Sequence, residues 1–270
     1  GWFTDVTADV GLSDVEAIRV ASADIDGDGL PDLVFHGMPY ARDSADAPSK
    51  RVFLNKGGRF EEITAESGLL DSRDGPGTGR LSHFSVFADV DNDGDLDLFD
   101  ATYIDTNTDP AAAKADRSEI YINDGTGHFT MAPRTAPSKL ALPTSGASFA
   151  DYDRDGVVDL FVGTFYKGAE GAGSYLYKGD GAGGFIDVSK SSNVLRPATN
   201  GALDAYLRGE NRKPAYGVTV CDVDDDGDPD FIVSTYGRGY NELWRNDDGV
   251  FTEIAYGTPF AADDLVDFAD

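Results

Sequence analysis

The chain has 270 residues, 40% of them hydrophobic, and its 32 glycines and 12 prolines point to a β-rich core cut into short pieces by turns. The formal charge of −27, from 49 acidic against 22 basic residues, excludes nucleic acid and anionic membrane surfaces as partners, since both reward basic patches. No run reaches the roughly 18 apolar residues of a membrane helix, which argues against membrane insertion, and the single cysteine excludes an internal disulfide.

The opening Gly1-Trp2 carries no signal-peptide pattern and reads as a processed or trimmed start. Phe3-Thr4-Asp5-Val6-Thr7 reads as a stray copy of a strand that recurs later. The run RVASA then leads into the loop DIDGDGLPD (Asp24–Asp32), and LVFHG, VFLNKGGRF and FEEIT follow. The same order returns as FSVFA, DVDNDGDLD (Asp89–Asp97), LFDATY, IYINDGTGHF and FTMAP. It returns again as GASFA, DYDRDGVVD (Asp151–Asp159), LFVGTF, YLYKGDGAGGF and FIDVS. The fourth copy reads GVTVC, DVDDDGDPD (Asp222–Asp230), FIVSTY, LWRNDDGVF and FTEIA. Loop starts are spaced by 65, 62 and 71 residues, and every loop fits D-x-D-x-D-G-x-x-D. The closing run, Leu265 to Asp270, resembles the first strand and stops where a fifth loop would begin.

Runs of four to six residues rich in Val, Phe and Tyr predict strands, and Asn-Asp-Gly or Gly-Gly between apolar runs predicts hairpins. Each repeat is thus expected to be a four-stranded antiparallel meander, with no helix. A sheet of this size cannot bury both faces alone, and radial stacking solves that problem with only short edges left over. The expected fold is all-β: one β-propeller domain over residues 1–270, with four complete repeats and partial terminal strands. The repeats fall at about 2–59, 60–128, 129–184 and 185–250, with 251–270 a partial fifth. Either the terminal strands close a small ring, or the chain is part of a larger propeller.

The aspartate loops with their GxGxF-type turns resemble the FG-GAP/VCBS repeats of integrin-α-like propellers. The opening FTDVTADVGL is similar to the start of repeats in cartilage-acidic-protein-like chains. The resemblance covers about residues 2–256. It implies a propeller with Ca²⁺ in the hairpin between the first two strands of each blade, and adhesion or ligand binding as the usual role, although such blades also occur as parts of enzymes.

The residues themselves favour the same ion. Ca²⁺ takes six to eight hard oxygen ligands, and a loop with side chains at positions 1, 3, 5 and 9 and a carbonyl at 7 supplies most of them. The candidates are Asp24, Asp26, Asp28, Asp32 and the Leu30 carbonyl, then Asp89, Asp91, Asp93, Asp97 and the Asp95 carbonyl. The third and fourth sets are Asp151, Asp153, Asp155, Asp159 with the Val157 carbonyl, and Asp222, Asp224, Asp226, Asp230 with the Asp228 carbonyl. Glycine at position 6 (Gly29, Gly94, Gly156, Gly227) permits the sharp turn. Four carboxylates in one loop repel one another without a cation, so the expected role of about four Ca²⁺ ions is structural, and they would take the formal charge from −27 to −19. An EF-hand does not fit, because position 12 holds Phe35, Asp100, Val162 and Val233 in place of Glu and the flanks are strands. Mg²⁺ fits less well because it keeps its waters.

In such a meander the aspartate loops and Gly-rich turns share one end, and the long, dissimilar connections share the other, where function usually sits. Candidate ligand residues there are His36, Tyr103, Tyr166, Tyr236 and Arg238, with Tyr40 and Tyr240 beside them and Arg19, His83 and Tyr216 nearer the axis. Cys221 aligns with Ala23, Ala88 and Ala150 and is expected to be a small buried packing residue. The three histidines share no metal-ligand spacing, and no nucleophile-elbow, P-loop or dinucleotide fingerprint is present. The favoured expectation is a non-enzymatic, extracellular or periplasmic Ca²⁺-binding module for a protein or polysaccharide ligand. The alternatives are a polysaccharide lyase or hydrolase working on the variable face, and a fragment of a larger assembly, with oligomerisation through the terminal strands.

Overall fold

The computed structural model describes residues 2–37, 50–73, 82–103, 117–133, 135, 137–139, 142–165, 173–195, 214–235 and 241–255. Their strands form four antiparallel sheets. The first holds β1 (Arg19–Ala23), β2 (Asp32–His36), β3 (Lys50–Asn55) and β4 (Phe60–Glu62), and the second β5 (Phe84–Ala88), β6 (Asp97–Ala101), β7 (Glu119–Asn123) and β8 (Phe129–Met131). The third holds β9 (Thr144–Ala150), β10 (Asp159–Thr164), β11 (Gly173–Gly179) and β12 (Phe185–Asp187). The fourth holds β13 (Ala215–Cys221), β14 (Asp230–Thr235), β15 (Glu242–Asp247) and β16 (Val250–Glu253). Only consecutive strands pair, as expected of meanders. A single 3-10 turn, Pro137–Lys139, is the one helical element among the described residues.

The aspartate loops join β1 to β2, β5 to β6, β9 to β10 and β13 to β14, and the last aspartate of each loop is the first residue of the strand that follows. Each fourth strand pairs with the third strand before it: Phe60 sits opposite Asn55, Phe129 opposite Asn123 and Phe185 opposite Gly179. The expected divisions at 59/60, 128/129 and 184/185 therefore cut through hairpins. In sequence, a Gly-rich hairpin turn looks the same as a linker between units.

Three apolar cores lie between successive sheets. Val34, Val52, Leu98 and Tyr121 fill the first, Phe99, Ile120, Leu160 and Tyr177 the second, and Phe161, Leu176, Phe231 and Trp244 the third. Neighbouring residues of one strand face different cores. Leu98 looks to the first and Phe99 to the second, while Leu160 looks to the second and Phe161 to the third. This is why β6 and β10 are buried along their whole length and read as continuous apolar runs instead of alternating ones. Between the third and fourth sheets Phe161 stacks on Phe231 with ring centroids 4.1 Å apart, and each such buried side chain contributes about 1.5–3 kcal/mol.

The first strands of the sheets also neighbour one another: β1 lies by β5, β5 by β9 and β9 by β13. The last contact is close, since a Cβ on Gly146 would lie 2.7 Å from the Val218 backbone nitrogen. The result is a propeller-like series of four sheets with their first strands on one side.

Phe3–Thr7 does not form the expected strand, and Trp2 and Phe3 are fully exposed. A strand needs an edge to pair with, and among the described residues no third strand stands beside this segment. What repeats is the turn after it. The carbonyls of Val10, Ser67 and Ser192 accept the backbone N–H of Phe60, Phe129 and Phe251, at 2.9, 2.7 and 2.9 Å. Each tail thus ties down the last strand of the next sheet. The closing run 265–270 lies outside the described residues.

Candidate metal centres

Every loop is shaped first by its own hydrogen bonds. The aspartate at position 9 is buried at the start of the second strand, with Asp32, Asp97, Asp159 and Asp230 all at most 1% exposed. One of its oxygens accepts the N–H at position 2, from Ile25, Val90, Tyr152 or Val223, at 2.8, 2.8, 3.0 and 2.8 Å. The other accepts an N–H at the end of the third strand, from Asn55, Asn123, Gly179 or Asn246, at 2.6, 2.8, 2.9 and 2.7 Å. The carboxylate therefore clips the loop to two strands whether or not an ion is bound. Position 1 accepts the N–H of the position-6 glycine at 2.9, 3.0, 2.8 and 2.9 Å, and these glycines have φ of 86°, 97°, 86° and 90°. Position 4 is left-handed as well, at Gly27, Asn92, Arg154 and Asp225.

These bonds converge the remaining oxygens. In each loop the carboxylates at positions 1, 3 and 9 offer ligand atoms within 4.8 Å of one another: Asp24, Asp26, Asp32; Asp89, Asp91, Asp97; Asp151, Asp153, Asp159; and Asp222, Asp224, Asp230. Position 5 stands outside this group. Asp28, Asp93, Asp155 and Asp226 instead accept the N–H of position 7 at 2.9, 3.0, 2.9 and 2.9 Å, the residue whose carbonyl was expected to be a ligand. Buried oxygens of Asp24, Asp91 and Asp153 have no hydrogen-bond partner. Orphaned buried carboxylate oxygens are costly unless a cation meets them. An all-oxygen set of this kind fits a hard divalent ion, which when bound would neutralise the converging charge.

The electrostatics of the protein without an ion agree. Burial pushes the carboxyl pKa of Asp97 up to about 6 and of Asp159 up to about 7, partly opposed by the two N–H bonds each receives and reinforced by the neighbouring aspartates. Asp32 and Asp91 are raised as well, with burial again the main cause. Basic side chains reach position 3 in three of the loops. Lys56 contacts Asp26 at 2.6 Å, Lys178 bridges Asp153 and Asp155, and the Arg245 guanidinium lies 3.9 Å from Asp224.

Loops are also tied to the next sheet at the carbonyl of position 2. Asn123 donates its side-chain amide to the Ile25 carbonyl at 2.8 Å, Asn246 donates to Tyr152 at 2.7 Å, and the Gly183 backbone N–H donates to Val90 at 3.2 Å. Arg154 of the third loop further pairs with Asp228 at 2.7 Å and Asp248 at 2.9 Å in the fourth sheet. Sequence reasoning passed over these asparagines, although Asn at the end of a third strand recurs at 55, 123 and 246 and was the signal that could have found them.

At the opposite end, Arg19, His36, His83, Tyr103 and Tyr216 are described, while Tyr40, Tyr166, Tyr236, Arg238 and Tyr240 lie outside the described residues. His36 is not a surface residue. It is fully buried, and its Nδ1 lies 2.8 Å from Ser82 Oγ, which donates to Asp100; Lys50 Nζ holds the other Asp100 oxygen at 2.9 Å. At this end a row of rings crosses three sheets. His83 to Tyr103 is 5.1 Å, Tyr103 to Phe165 5.8 Å and Phe165 to Tyr216 6.4 Å, and Arg19 lies over Phe84 at 5.7 Å. Of these Tyr216 is the most open to solvent. Cys221 is only half-buried, not fully covered, because it lies on a first strand beside an exposed loop, and burial with Asp230 and Asp222 nearby raises its thiol pKa.

Comparison with known proteins finds chains of similar sequence. Cartilage acidic protein 1 of Xenopus tropicalis is 25% identical over 221 residues, 82% of this chain and 31% of that protein. Integrin alpha-IIb of Homo sapiens is 29% identical over 174 residues, 61% of this chain and 16% of that protein. The chain thus spans less than a third of the length of either relative. A solved structure of BBS1N in complex with ARL6DN, soaked with lead, superposes with a TM-score of 0.45 at 13% identity, covering 88% of this chain and 55% of that one. Residues 105–162 match the model of the FG-GAP-like repeat. Residues 105–162, which include the third aspartate loop, thus carry FG-GAP-like repeat sequence.

Proposed function

We propose that this chain is a Ca²⁺-binding β-propeller module that recognises a protein ligand outside the cytoplasm, with the ions structural and the ring completed around the four sheets. The observation that carries the reading is the convergence, in all four loops, of three carboxylates within 4.8 Å, with orphaned buried oxygens in three of the loops. Free Ca²⁺ near millimolar levels outside the cell suits loops of this type. The likeness to an integrin α chain supports a protein ligand, and the ring row from His83 to Tyr216 with Arg19 nearby supplies the aromatic and arginine anchors common at interfaces. Among the described residues no helix is long and apolar enough to cross a membrane.

The test is a panel of extracellular-matrix proteins and polysaccharides presented to the immobilised chain with Ca²⁺ and with chelator. A protein ligand should bind only with Ca²⁺, and Tyr216→Ala or Arg19→Ala should weaken it at unchanged melting temperature. Turnover of a polysaccharide would overturn the non-catalytic reading.

A further inference from the structure

The four loops share one sequence pattern but not one electrostatic setting. Strand registers make the comparison direct: Tyr121 lies opposite Leu98, Tyr177 opposite Leu160 and Trp244 opposite Phe231, so the residues after them, Ile122, Lys178 and Arg245, occupy equivalent places. In the third sheet this place puts an ammonium against Asp153 Oδ2 and, at 2.8 Å, Asp155 Oδ2. In the second sheet it holds isoleucine, and among the described residues Asp91 has no basic partner, although Asp91 and Asp153 each keep one buried oxygen without a hydrogen bond.

We propose that Lys178 is a built-in counter-ion of the third loop, so that this loop holds together without a divalent ion and takes one more weakly than the second loop does. The inference rests on the Ca²⁺ reading above and adds to it a graded order of occupancy.

Two effects of Lys178 oppose each other. It pre-positions Asp153 and Asp155, which favours an ion, and it sets a positive charge beside the place an ion would enter, which disfavours it. Repulsion acts on a double charge and at side-chain contact distance, whereas pre-positioning saves only the rotamer freedom of two short side chains, so repulsion dominates. Affinity in oxygen-ligand loops is known to follow ligand charge count, and Lys178 lowers the net negative charge of its loop by one. Lys56 does the same to the first loop less strongly, since it touches Asp26 alone and is the more exposed of the two. As Ca²⁺ falls, the third loop should therefore empty before the second. The third and fourth sheets would stay joined all the same, because Asn246 and the Arg154 pairs tie that loop to its neighbour without an ion.

The experiment is calorimetric Ca²⁺ titration of the wild-type chain, Lys178→Met and Lys56→Met, with Asp153→Asn assigning the third site, and melting curves of each in chelator. Lys178→Met should tighten one site roughly tenfold or more, leave the others unchanged, and lower the melting temperature in chelator. Lys56→Met should tighten a different site by a smaller factor. Unchanged or weaker binding by Lys178→Met, beside normal uptake by the wild-type chain, would overturn the proposal and leave the Ca²⁺ reading standing. No uptake by the wild-type chain would overturn both.

Discussion

Asp97 and Asp91 belong to the same loop but do different work. Asp97 accepts two backbone N–H groups and is buried, so it holds the fold as well as converging with Asp89 and Asp91, whereas Asp91 carries an orphaned oxygen and, on the proposed reading, serves the ion alone. Asp97→Ala should therefore destabilise by about 1–3 kcal/mol even in chelator, by orphaning buried donors, while Asp91→Asn should lose one Ca²⁺ site and melt in chelator at or above the wild-type temperature. Urea unfolding of both variants in chelator separates the two roles. Lys50→Met would remove a fully buried cation paired with Asp100, and a loss of about 3–5 kcal/mol is expected in the same measurement. His36 also titrates predictably. Burial, before any effect of Lys50, pushes its pKa from 6.5 down to about 4, with Asp100 opposing. The unfolded chain thus binds the extra proton between these values, and the stability due to the neutral ring is full above pH 6.5 and falls as the pH drops toward 4. The gap in urea midpoint between wild type and His36→Gln in chelator should narrow over that window. The aspartate pattern was legible because it recurs at fixed spacing within short segments of the sequence. The burial of His36 was not legible, because it depends on Ser82 and Asp100, which are far from it in sequence.

At the level of elements, the strands were readable almost residue by residue, since RVASA and FSVFA are β1 and β5 and the apolar runs after each loop are the second strands. The runs of β6 and β10 are continuous because a sheet packed on both sides leaves no polar face to betray its register. The ties from each loop to the next sheet were less legible, because they rest on single polar groups. Asn123→Ala should remove the tie from the second sheet to the first loop together with its bond to the Leu96 carbonyl of the second loop, at about 1 kcal/mol for each buried hydrogen bond, and weaken Ca²⁺ at these loops while the third and fourth sites hold. Calorimetry on this variant checks both parts. The expected N-terminal strand failed for a related reason: its sequence matches FEEIT, but a strand exists only where an edge is there to receive it.

For the whole molecule, composition and repeat period gave the class, four all-β units in series, and the three inter-sheet cores explain why the series holds together. The long connections at the end opposite the loops fall mostly outside the described residues, so the proposed ligand face rests chiefly on the ring row from His83 to Tyr216. On the proposed reading, what gives the molecule much of its charge also sets a dependence on ions, because many of its acidic residues lie in loops whose carboxylates converge. Each site filled at a hundred times its Kd adds about 2.7 kcal/mol to the native state. The most direct test is the melting temperature in millimolar Ca²⁺ against excess chelator. A fall of roughly 10 °C or more on chelation, restored by Ca²⁺ but not by equal Mg²⁺, is predicted; an unchanged melting temperature would contradict the account of the aspartate loops as structural Ca²⁺ sites.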